Sequence, residues 1–314
     1  MRHRVLTLEA PAKVNLFLRV LAREASGYHG VETLYGAVAL CDTLQLELEP
    51  EGGVELEMVS EQDLGPLGQN LVHRAATALL KRVGTSRGVR IRLEKVIPAG
   101  AGLGGGSSDA AATLKGLNHL LRSPLDRDEL VRIAGGLGAD VAFFLSPTPL
   151  ALGWSRGDRL LPMDPLPQRP VLLALPALEV DTASAYRALA RRRAENRAPP
   201  PPARILDPAL LGAWERLAEV AANDFEELVY RDHPLLEQVR EALDGTGPVL
   251  SLLAGSGAGL FAVYSGEELA REARRELGSR FPDVRFTVTR TLRAFPRARP
   301  QSAPGPPLTP PLRP

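Results

Sequence analysis

The 314-residue chain has little cysteine, lysine or aromatic side chain: one cysteine, four lysines, and 5% Phe, Trp and Tyr together. A lone thiol, Cys41, excludes an intramolecular disulfide and fits a reducing compartment, where such a residue is usually a small buried apolar group. No run approaches the ~18 apolar residues that span a membrane, and no apolar core follows the first five residues as in a signal peptide. These absences predict a cytoplasmic protein.

An excess of charge is also missing, because 38 lysines and arginines face 37 aspartates and glutamates and leave a net charge of +1. This balance does not favour a nucleic acid or a membrane surface as partner, and no obligate protein partner is evident. The HExxH, CxxC and Gly-x-Ser-x-Gly motifs are absent, so metalloprotease, zinc-ribbon and serine-hydrolase functions have no support. At ~100–200 residues per domain, the length predicts two domains.

Glycine is abundant and concentrated in one stretch. Residues 89–95 alternate apolar and polar side chains, the pattern of a half-buried strand, and Pro98 ends it. Five glycines then occupy seven positions: Gly100, Gly102, Gly104, Gly105 and Gly106. Ser107, Ser108 and Asp109 follow as N-cap residue types, and apolar residues then recur at helical spacing. Because a helix N terminus carries partial positive charge and unpaired N–H groups, this strand, glycine loop and helix predict a phosphate site.

Two better-known phosphate loops do not fit this stretch. Gly100, Gly102 and Gly105 match G-x-G-x-x-G, but the acidic residue expected about 20 positions later, at the end of a second strand, is lacking. A Walker A loop needs Gly-Lys-Ser/Thr, whereas Gly106 is followed directly by Ser107. A turn without a ligand is the remaining alternative, and so many glycines cost too much conformational entropy for that role alone.

Three polar side chains are candidates for chemistry. Residues 10–20 alternate in the manner of a strand, which places Lys13 and Asn15 together on one face, although a solvated strand face is the ordinary interpretation of such a pair. Asp140 lies between small residues and a continuous apolar run, where a carboxylate needs a cation or hydrogen bonds. It either caps a helix over 140–145 or is a catalytic group, and the two roles are compatible.

Two further loops have residues suited to ligands. Tyr28 and His29 follow Gly27 and offer a stacking face and a directional hydrogen-bond partner, which together can hold a planar base; alone, such a pair is more often a turn with a packed tyrosine. Gly255–Gly259 connects predicted strands over 249–254 and 260–264. The resulting hairpin has a backbone that can contact a ligand or the first glycine loop.

The rest of the chain predicts a mixture of strands and helices. Strands are predicted over 4–9, 37–40, 43–48, 54–59, 171–176 and 285–290, and helices over 71–83, 128–135, 182–193, 208–222, 234–243 and 267–277. Residues 223–226, Asn-Asp-Phe-Glu, separate two of these helices. Four prolines at 199–202 indicate a linker or exposed loop, and the Pro-rich segment from Pro296 to Pro314 predicts disorder.

Three of these pieces resemble, in their order, the motifs of the GHMP small-molecule kinase superfamily: Pro11–Leu16, Pro98–Ala112 and Gly255–Gly259. Gly27-Tyr28-His29, with Gly138–Val141 and Phe144, narrows the resemblance to the family of 4-diphosphocytidyl-2-C-methyl-D-erythritol kinases. The resemblance covers about residues 4–293. It implies an α+β, two-domain GHMP kinase fold: an N-terminal domain like domain 2 of ribosomal protein S5 over 1–160 and a ferredoxin-like C-terminal domain over 161–295, with the site between them and the tail 296–314 outside.

The resemblance also implies an activity, the ATP-dependent phosphorylation of the tertiary 2-hydroxyl of the methylerythritol moiety. Asp140 would be the base that takes the hydroxyl proton, and Lys13 would keep it ionised and neutralise charge on the transferring phosphoryl group. Phosphoryl transfer asks chiefly for positioning and charge stabilisation, which a compact ammonium beside a carboxylate supplies.

Binding roles follow from the same resemblance. ATP would contact Pro98, Ala99, Gly100, Ala101, Gly102, Leu103, Gly104, Gly105, Gly106, Ser107 and Ser108, with Asn70 and Asp109 near the adenine. The substrate, CDP-methylerythritol, would contact Asn15, Tyr28, His29, Asp140, Thr182, Tyr186, Gly255, Ser256 and Gly257, with the cytosine between the two tyrosines and its edge on His29. Mg²⁺ is expected with ATP, and Ser107 or Ser108 is the candidate protein ligand.

Two alternatives stay open at this point. A homoserine or mevalonate-type kinase would share the glycine loop and act on a smaller alcohol, although Gly27-Tyr28-His29 argues against it. A nucleotide-sensing module would bind ATP without turnover.

Overall fold

The structure is a computed structural model that describes residues 5–23, 29–60, 65–196 and 207–300. Its strands are β1 (Val5–Arg23), β2 (His29–Glu49), β3 (Val54–Val59), β4 (Gly88–Glu94), β5 (Leu150–Ser155), β6 (Arg159–Pro162), β7 (Pro170–Pro176), β8 (Leu250–Leu253), β9 (Leu260–Val263), β10 (Val284–Arg290) and β11 (Arg299–Pro300). Its helices are α1 (Leu71–Val83), α2 (Gly105–Leu120), α3 (Arg127–Gly135), α4 (Val141–Phe144), α5 (Thr182–Asn196), α6 (Pro208–Leu211), α7 (Trp214–Ala218), α8 (Glu226–Asp232), α9 (Pro234–Gly245) and α10 (Glu267–Arg280). Within these residues, no helix is both long and apolar enough to cross a membrane.

The first sheet is organised on a long antiparallel hairpin of β1 and β2. Its strand order is β11-β1-β2-β4-β3, with β5 paired to β2 and β6 to β5, and only β3 and β4 are parallel among these described pairs. The sequence predicts separate strands over 37–40 and 43–48, and this is wrong. β2 is continuous because β1 pairs along one edge, while β4 and β5 divide the other between them.

Helices α1 and α2 cover this sheet. The prediction of a helix over 71–83 is confirmed: the Asn70 side chain accepts from the N–H of Val72 at 2.9 Å, and Gly84 ends the helix with a φ of +71°. α2 lies close to the sheet at Gly116, where a methyl group would stand 2.7 Å from Leu8 Cδ1. The buried apolar residues between these layers include Leu8, Leu44, Leu46, Ala75, Leu79, Val89, Ile91, Leu114 and Leu117. Burial of each large side chain contributes about 1.5–3 kcal/mol.

The second sheet is antiparallel, in the order β10-β7-β9-β8. Apolar residues of α9 and α10 share one core with residues of β7 and β9: Leu172, Ala174, Val239, Leu243, Leu260, Ala262 and Leu277. The predicted helix over 208–222 is instead two short helices, because the chain turns at Gly212 and Ala213 takes extended dihedral angles. The strands change from the first sheet to the second between residues 162 and 170, and the domain boundary at residue 160 stays a prediction.

The two sheets meet along β1. Leu18 donates its N–H to the carbonyl of Ala222 at 2.8 Å and accepts from the N–H of Asp224 at 3.0 Å. Side chains from both sheets form one apolar cluster that includes Phe17, Leu34, Leu173 and Phe261. Ala12, Val14 and Leu16 of β1 belong to the same cluster, so this part of β1 lies at the junction of the sheets.

The C-terminal segment departs from its prediction in part. Disorder is predicted from Pro296, but Arg299 and Pro300 form β11 and pair with Thr7 and Leu6 of β1. An edge strand presents unpaired backbone groups, which a short segment can cover. Residues 301–314 and the prolines at 199–202 lie outside the described residues.

Candidate active site

Lys13 and Asn15 lie side by side on β1, as the strand period predicts. Lys13 Nζ donates to Asn15 Oδ1 at 2.8 Å, and Asn15 Nδ2 donates to Thr33 Oγ1 at 2.7 Å. The Thr33 hydroxyl donates to the carbonyl of Phe17 at 2.8 Å. Lys13 is 4% exposed and Asn15 2% exposed, so the pair is buried rather than on a solvated face. The chain of hydrogen bonds fixes the direction of the ammonium.

Asp140 reaches this ammonium from the other end of the N-terminal half. Its Oδ2 lies 3.3 Å from Lys13 Nζ, and its Oδ1 accepts from the hydroxyl of Tyr35 at 2.9 Å. Asp140 stands at the N-cap of α4 but its side chain makes no capping bond there. The Asp140 side chain is 29% exposed against 5% for Lys13, so the carboxylate is the member of the pair that faces open space.

Tyr35 is a donor to Asp140 at any ordinary pH. Burial, the charge of Asp140 and the hydrogen bond to it raise the pKa of Tyr35 well above its usual value. One oxygen of Asp140 is therefore held by a neutral hydroxyl and the other lies beside a buried cation. This arrangement orients a carboxylate without burying it.

The first glycine loop runs alongside Lys13. Leu103 accepts from the N–H of Lys13 at 2.9 Å, and a methyl group at Gly104 would stand 2.9 Å from Lys13 Cγ. The N-cap of α2 is Gly104, with a φ of +68°. The N-cap predicted at 107–109 is therefore wrong, because glycine takes this left-handed conformation without strain and starts the helix earlier.

The N terminus of α2 is placed as an anion site requires. The first bond that closes a helical turn is from the N–H of Ser108 to the carbonyl of Gly104, at 2.9 Å. The N–H groups of Gly105, Gly106 and Ser107 precede it and have no acceptor within the helix. Their partial positive charge lies next to the Lys13 and Asp140 pair and favours a phosphate there.

The second glycine loop, Gly255–Gly259, packs directly on the first, and the hypothesis of such a contact is confirmed. Ala258 donates its N–H to the carbonyl of Gly100 at 3.1 Å, and Gly259 to that of Ala101 at 3.2 Å. A methyl group at Gly102 would stand only 1.8 Å from the carbonyl oxygen of Ala254. Both backbones approach more closely than side chains would allow.

Comparison with known proteins now gives the family. Residues 70–147 match the model of the GHMP kinases N terminal domain and residues 205–283 that of the GHMP kinases C terminal domain. The 4-diphosphocytidyl-2-C-methyl-D-erythritol kinase of Synechococcus sp. (strain JA-2-3B'a(2-13)) is 39% identical over 293 residues, which cover 90% of this chain and 93% of that protein.

Solved structures agree. A crystal structure of 4-(cytidine 5'-diphospho)-2C-methyl-D-erythritol kinase is 36% identical, with a TM-score of 0.73, and the match covers 91% of this chain and 98% of that one. The chain belongs to the 4-diphosphocytidyl-2-C-methyl-D-erythritol kinase family of the GHMP kinases. Homoserine kinase from Cytophaga hutchinsonii, at 20% identity, a TM-score of 0.69 and coverage of 94% of this chain and 97% of that one, shares the fold. The predicted α+β GHMP kinase fold is confirmed.

The kinase also has an aromatic group formed by His29, Tyr186 and Phe225. The rings of His29 and Tyr186 are stacked, with centroids 5.5 Å apart and planes at 27°, and Tyr186 also meets Phe225 edge-on at 4.8 Å. Burial, with the charge of Asp140, raises the pKa of Tyr186 to about 12, so its ring stays neutral. Tyr28 lies outside the described residues, and the predicted roles of these rings in binding cytosine stay predictions.

One of the predicted ATP contacts does not fit the structure of the kinase. Asp109 is 2% exposed, and its Oδ2 lies 2.8 Å from Lys95 Nζ, which also pairs with the fully buried Asp42. Since α2 begins at Gly105, position 109 falls one turn later and faces the interior. Burial raises the pKa of Asp109 to about 7, against the lowering effect of Lys95. The side chain is part of a buried charge cluster and does not face a ligand.

The other candidate contacts divide by exposure. Asn70 is half-buried and caps α1. Ser107 is half-buried and faces Gly138, whereas Ser108 is 1% exposed and its hydroxyl has no hydrogen-bond partner among the described residues. Thr182 and Ser256 join their hydroxyls at 2.8 Å beside the second glycine loop.

Magnesium can be tested against these residues. In the described part of the chain, no group of three or more His, Cys, Asp and Glu side chains is arranged to hold a metal. Mg²⁺ bound with a nucleotide keeps waters and phosphate oxygens as ligands and needs only one or two protein groups. Ser107, half-buried in the first turn of α2, fits that need better than the buried Ser108.

Sequence reasoning missed Tyr35, Thr33 and Lys95. Tyr35 lies opposite Asn15 in the register of β1 and β2, and Thr33 lies two residues before it. Thr33 and Tyr35 are two residues apart in β2, a spacing that could have placed them opposite the Lys13 and Asn15 pair. The bulges in β1 shift the pairing of the two strands, so the sequence alone does not give this register. Lys95 could have been noticed as one of only four lysines.

Proposed function

We propose that this protein transfers the γ-phosphoryl group of ATP to the 2-hydroxyl of 4-diphosphocytidyl-2-C-methyl-D-erythritol. The hydroxyl oxygen forms a bond to the γ-phosphorus, the bond between that phosphorus and the β,γ-bridging oxygen breaks, and ADP leaves. The family of the chain and the geometry of Lys13 and Asp140 support this reaction.

Asp140 is the general base in this proposal. Its carboxylate is partly exposed, and Tyr35 and Lys13 orient it, so it can accept the proton of a hydroxyl that lies within hydrogen-bond reach. Lys13 keeps the carboxylate ionised and places its charge where negative charge gathers on the transferring phosphoryl group. A Lys13 cation that Asn15 holds in place needs little rearrangement at the moment of reaction.

ATP binds through the first glycine loop in this proposal. The left-handed glycines at 100, 102 and 104 let the backbone follow the triphosphate, and the N terminus of α2 faces it. Bound Mg²⁺ would neutralise charge on the β- and γ-phosphates, and Ser107 is the residue placed to hold it. The hydroxyl of Ser107 adds one oxygen ligand to those that phosphates and waters supply.

The cytidylylated alcohol would bind with the two packed glycine loops on one side of it and the rings of His29 and Tyr186 on the other. His29 would bind the cytosine edge, with Tyr28 and Tyr186 as stacking partners. Asn15 and Asp140 would contact the methylerythritol hydroxyls. Gly255–Gly257 and the paired hydroxyls of Thr182 and Ser256 would approach the substrate diphosphate.

The observation that carries the proposal is the 3.3 Å contact between Lys13 Nζ and Asp140 Oδ2 beside the start of α2. ADP release should be measured with the cytidylylated alcohol, homoserine and mevalonate in turn, and turnover is expected with the first. Turnover only with homoserine or mevalonate would end the assignment. ATP binding without any turnover would favour a nucleotide sensor instead.

Asp140→Asn tests the base. Its kcat should fall by roughly 10²–10⁴-fold because proton transfer is lost, while the affinity for ATP changes little. Asp283→Asn is the matched control, since Asp283 is an exposed carboxylate in the turn before β10, and its kcat should equal that of the parent protein. An Asp140→Asn variant with the rate of this control would refute the role of the base.

A further inference from the structure

Residues 223–226 contact β1, the end of β8 and the start of the second glycine loop. The segment follows α7 and runs into the first residue of α8, and Leu18 of β1 bonds to Ala222 and Asp224 beside it. Asp224 Oδ2 accepts from the N–H of Val20 at 2.8 Å, so the segment is tied to β1 by side chain as well as backbone. The position of residues 223–226 relative to the Lys13 ammonium is therefore fixed by β1, the strand that contains Lys13.

Asn223 uses its whole side-chain amide on backbone groups. It is 6% exposed. Nδ2 donates to the carbonyls of Leu253 at 2.9 Å and Gly255 at 2.7 Å, and Oδ1 accepts from the N–H of Phe225 at 3.0 Å. Glu226 holds the same strand from the next turn, since Oε1 accepts from the N–H of Leu253 at 2.8 Å. The end of β8 and the start of the second glycine loop are thereby fixed to one segment.

The bond to Gly255 determines the direction of a peptide group. In a trans peptide the C=O of one residue and the N–H of the next point in opposite directions. With the Gly255 carbonyl held against Asn223, the N–H of Ser256 points away from Asn223. Gly255 itself has a φ of +57°, and a methyl group on it would stand 3.4 Å from Lys13 Nζ. The peptide that Asn223 orients is thus adjacent to the reacting groups.

We propose that Asn223 is a positioning residue, which turns the Ser256 N–H towards the diphosphate of the cytidylylated substrate by holding the Gly255 carbonyl. This inference rests on the proposed function, because the substrate is the one named there. Asn223 does not touch the substrate. Its effect reaches the reaction through the second glycine loop, whose N–H group offers a hydrogen bond to the negatively charged diphosphate.

Asn223→Asp is the test, because it keeps the shape and the acceptor for Phe225. It replaces both donors by an oxygen that faces two carbonyl oxygens, so the Gly255 peptide should turn away. KM for the cytidylylated substrate should rise and kcat/KM should fall by roughly 10–100-fold, in line with the cost of losing buried hydrogen bonds, while KM for ATP stays near its parent value. The defect should lessen as pH falls, since a protonated carboxyl regains one donor.

Asn118→Asp is the matched control for loss of a buried amide. Asn118 is also 6% exposed, donates Nδ2 to the carbonyl of Leu125 at 2.9 Å, and accepts from the N–H of Leu125 at 3.1 Å. It lies at the far end of α2, so its substitution should lower the free energy of unfolding and leave both KM values unchanged. An Asn223→Asp variant that behaves in the same way would overturn the positioning role.

Three further results are informative. If Asn223→Asp does not fold, Asn223→Ser keeps one donor, and its KM for the cytidylylated substrate should rise by less than the loss of both donors predicts; an unchanged KM would overturn the inference. A parent protein that releases no ADP with this substrate refutes the proposed function, and the inference with it, before any variant is made. If the parent protein turns over the cytidylylated substrate and the Asn223 variants keep the parent KM for it, only the inference is refuted.

Discussion

Gly102→Ala tests whether the contact between the two glycine loops builds the site. Gly102 has a φ of +71°, where a Cβ costs about 1–2 kcal/mol. The methyl group would also stand 1.8 Å from the Ala254 carbonyl oxygen, so the loops must separate by about 1 Å or more. A misplacement of about 1 Å can cost ~100-fold in rate, so kcat/KM should fall at least that far. Strain and overpacking together should lower the free energy of unfolding by about 2–5 kcal/mol.

Gly84→Ala separates the two effects of that change. Gly84 ends α1 with the same φ of +71°, but nothing lies within 4 Å of the Cβ position. It should lose about 1–2 kcal/mol of stability from backbone strain alone and keep its kcat/KM. ADP release with ATP and the cytidylylated alcohol measures kcat/KM, and urea unfolding measures the free energy of unfolding. If both variants retained full kcat/KM and lost equal stability, the claim that close packing of the loops sets the site would be refuted.

Three further predictions concern single side chains. Lys13→Met removes the cation but keeps a long unbranched side chain, so kcat should fall by about 10²–10³-fold while ATP binding, measured by titration calorimetry, changes little; an unchanged kcat would contradict its role. His29→Ala should raise KM for the cytidylylated substrate more than it lowers kcat in steady-state assays, and the opposite split would count against cytosine recognition. Asp109 has a folded-state pKa of about 7, above its ordinary value of 3.8, so the folded protein binds the extra proton between these values. The free energy of unfolding should therefore fall as pH rises from 4 to 7, by about 1–4 kcal/mol from this group, and Asp109→Asn should flatten that slope in urea melts; an unaltered slope would show that another group causes it.

Local sequence was enough for the parts of the site that depend on near neighbours. The glycine stretch predicts a phosphate loop because five residues without Cβ can take only a few roles beside a helix N terminus. The pairing of Lys13 with Asn15 follows from the two-residue period of a strand. The bounds of α1 follow from its own cap residues, Asn70 and Gly84. In each case the deciding interaction joins residues only a few positions apart.

Packing between distant segments decided the rest. The sequence left Asp140 as a cap, a catalytic group or both. In the folded chain its side chain makes no capping bond and accepts instead from Tyr35, 105 positions earlier, while its role as a base stays a proposal. The inward direction of Asp109 depends on the point at which α2 begins against the sheet. Two of the three hydrogen bonds of the Asn223 amide, those to the carbonyls of Leu253 and Gly255, depend on segments that meet only in the folded chain. The amino-acid sequence by itself determined which residue types were at hand for phosphoryl transfer, and the tertiary structure decided which of them face the cleft, because a buried polar group is stable only where a distant segment supplies its partner.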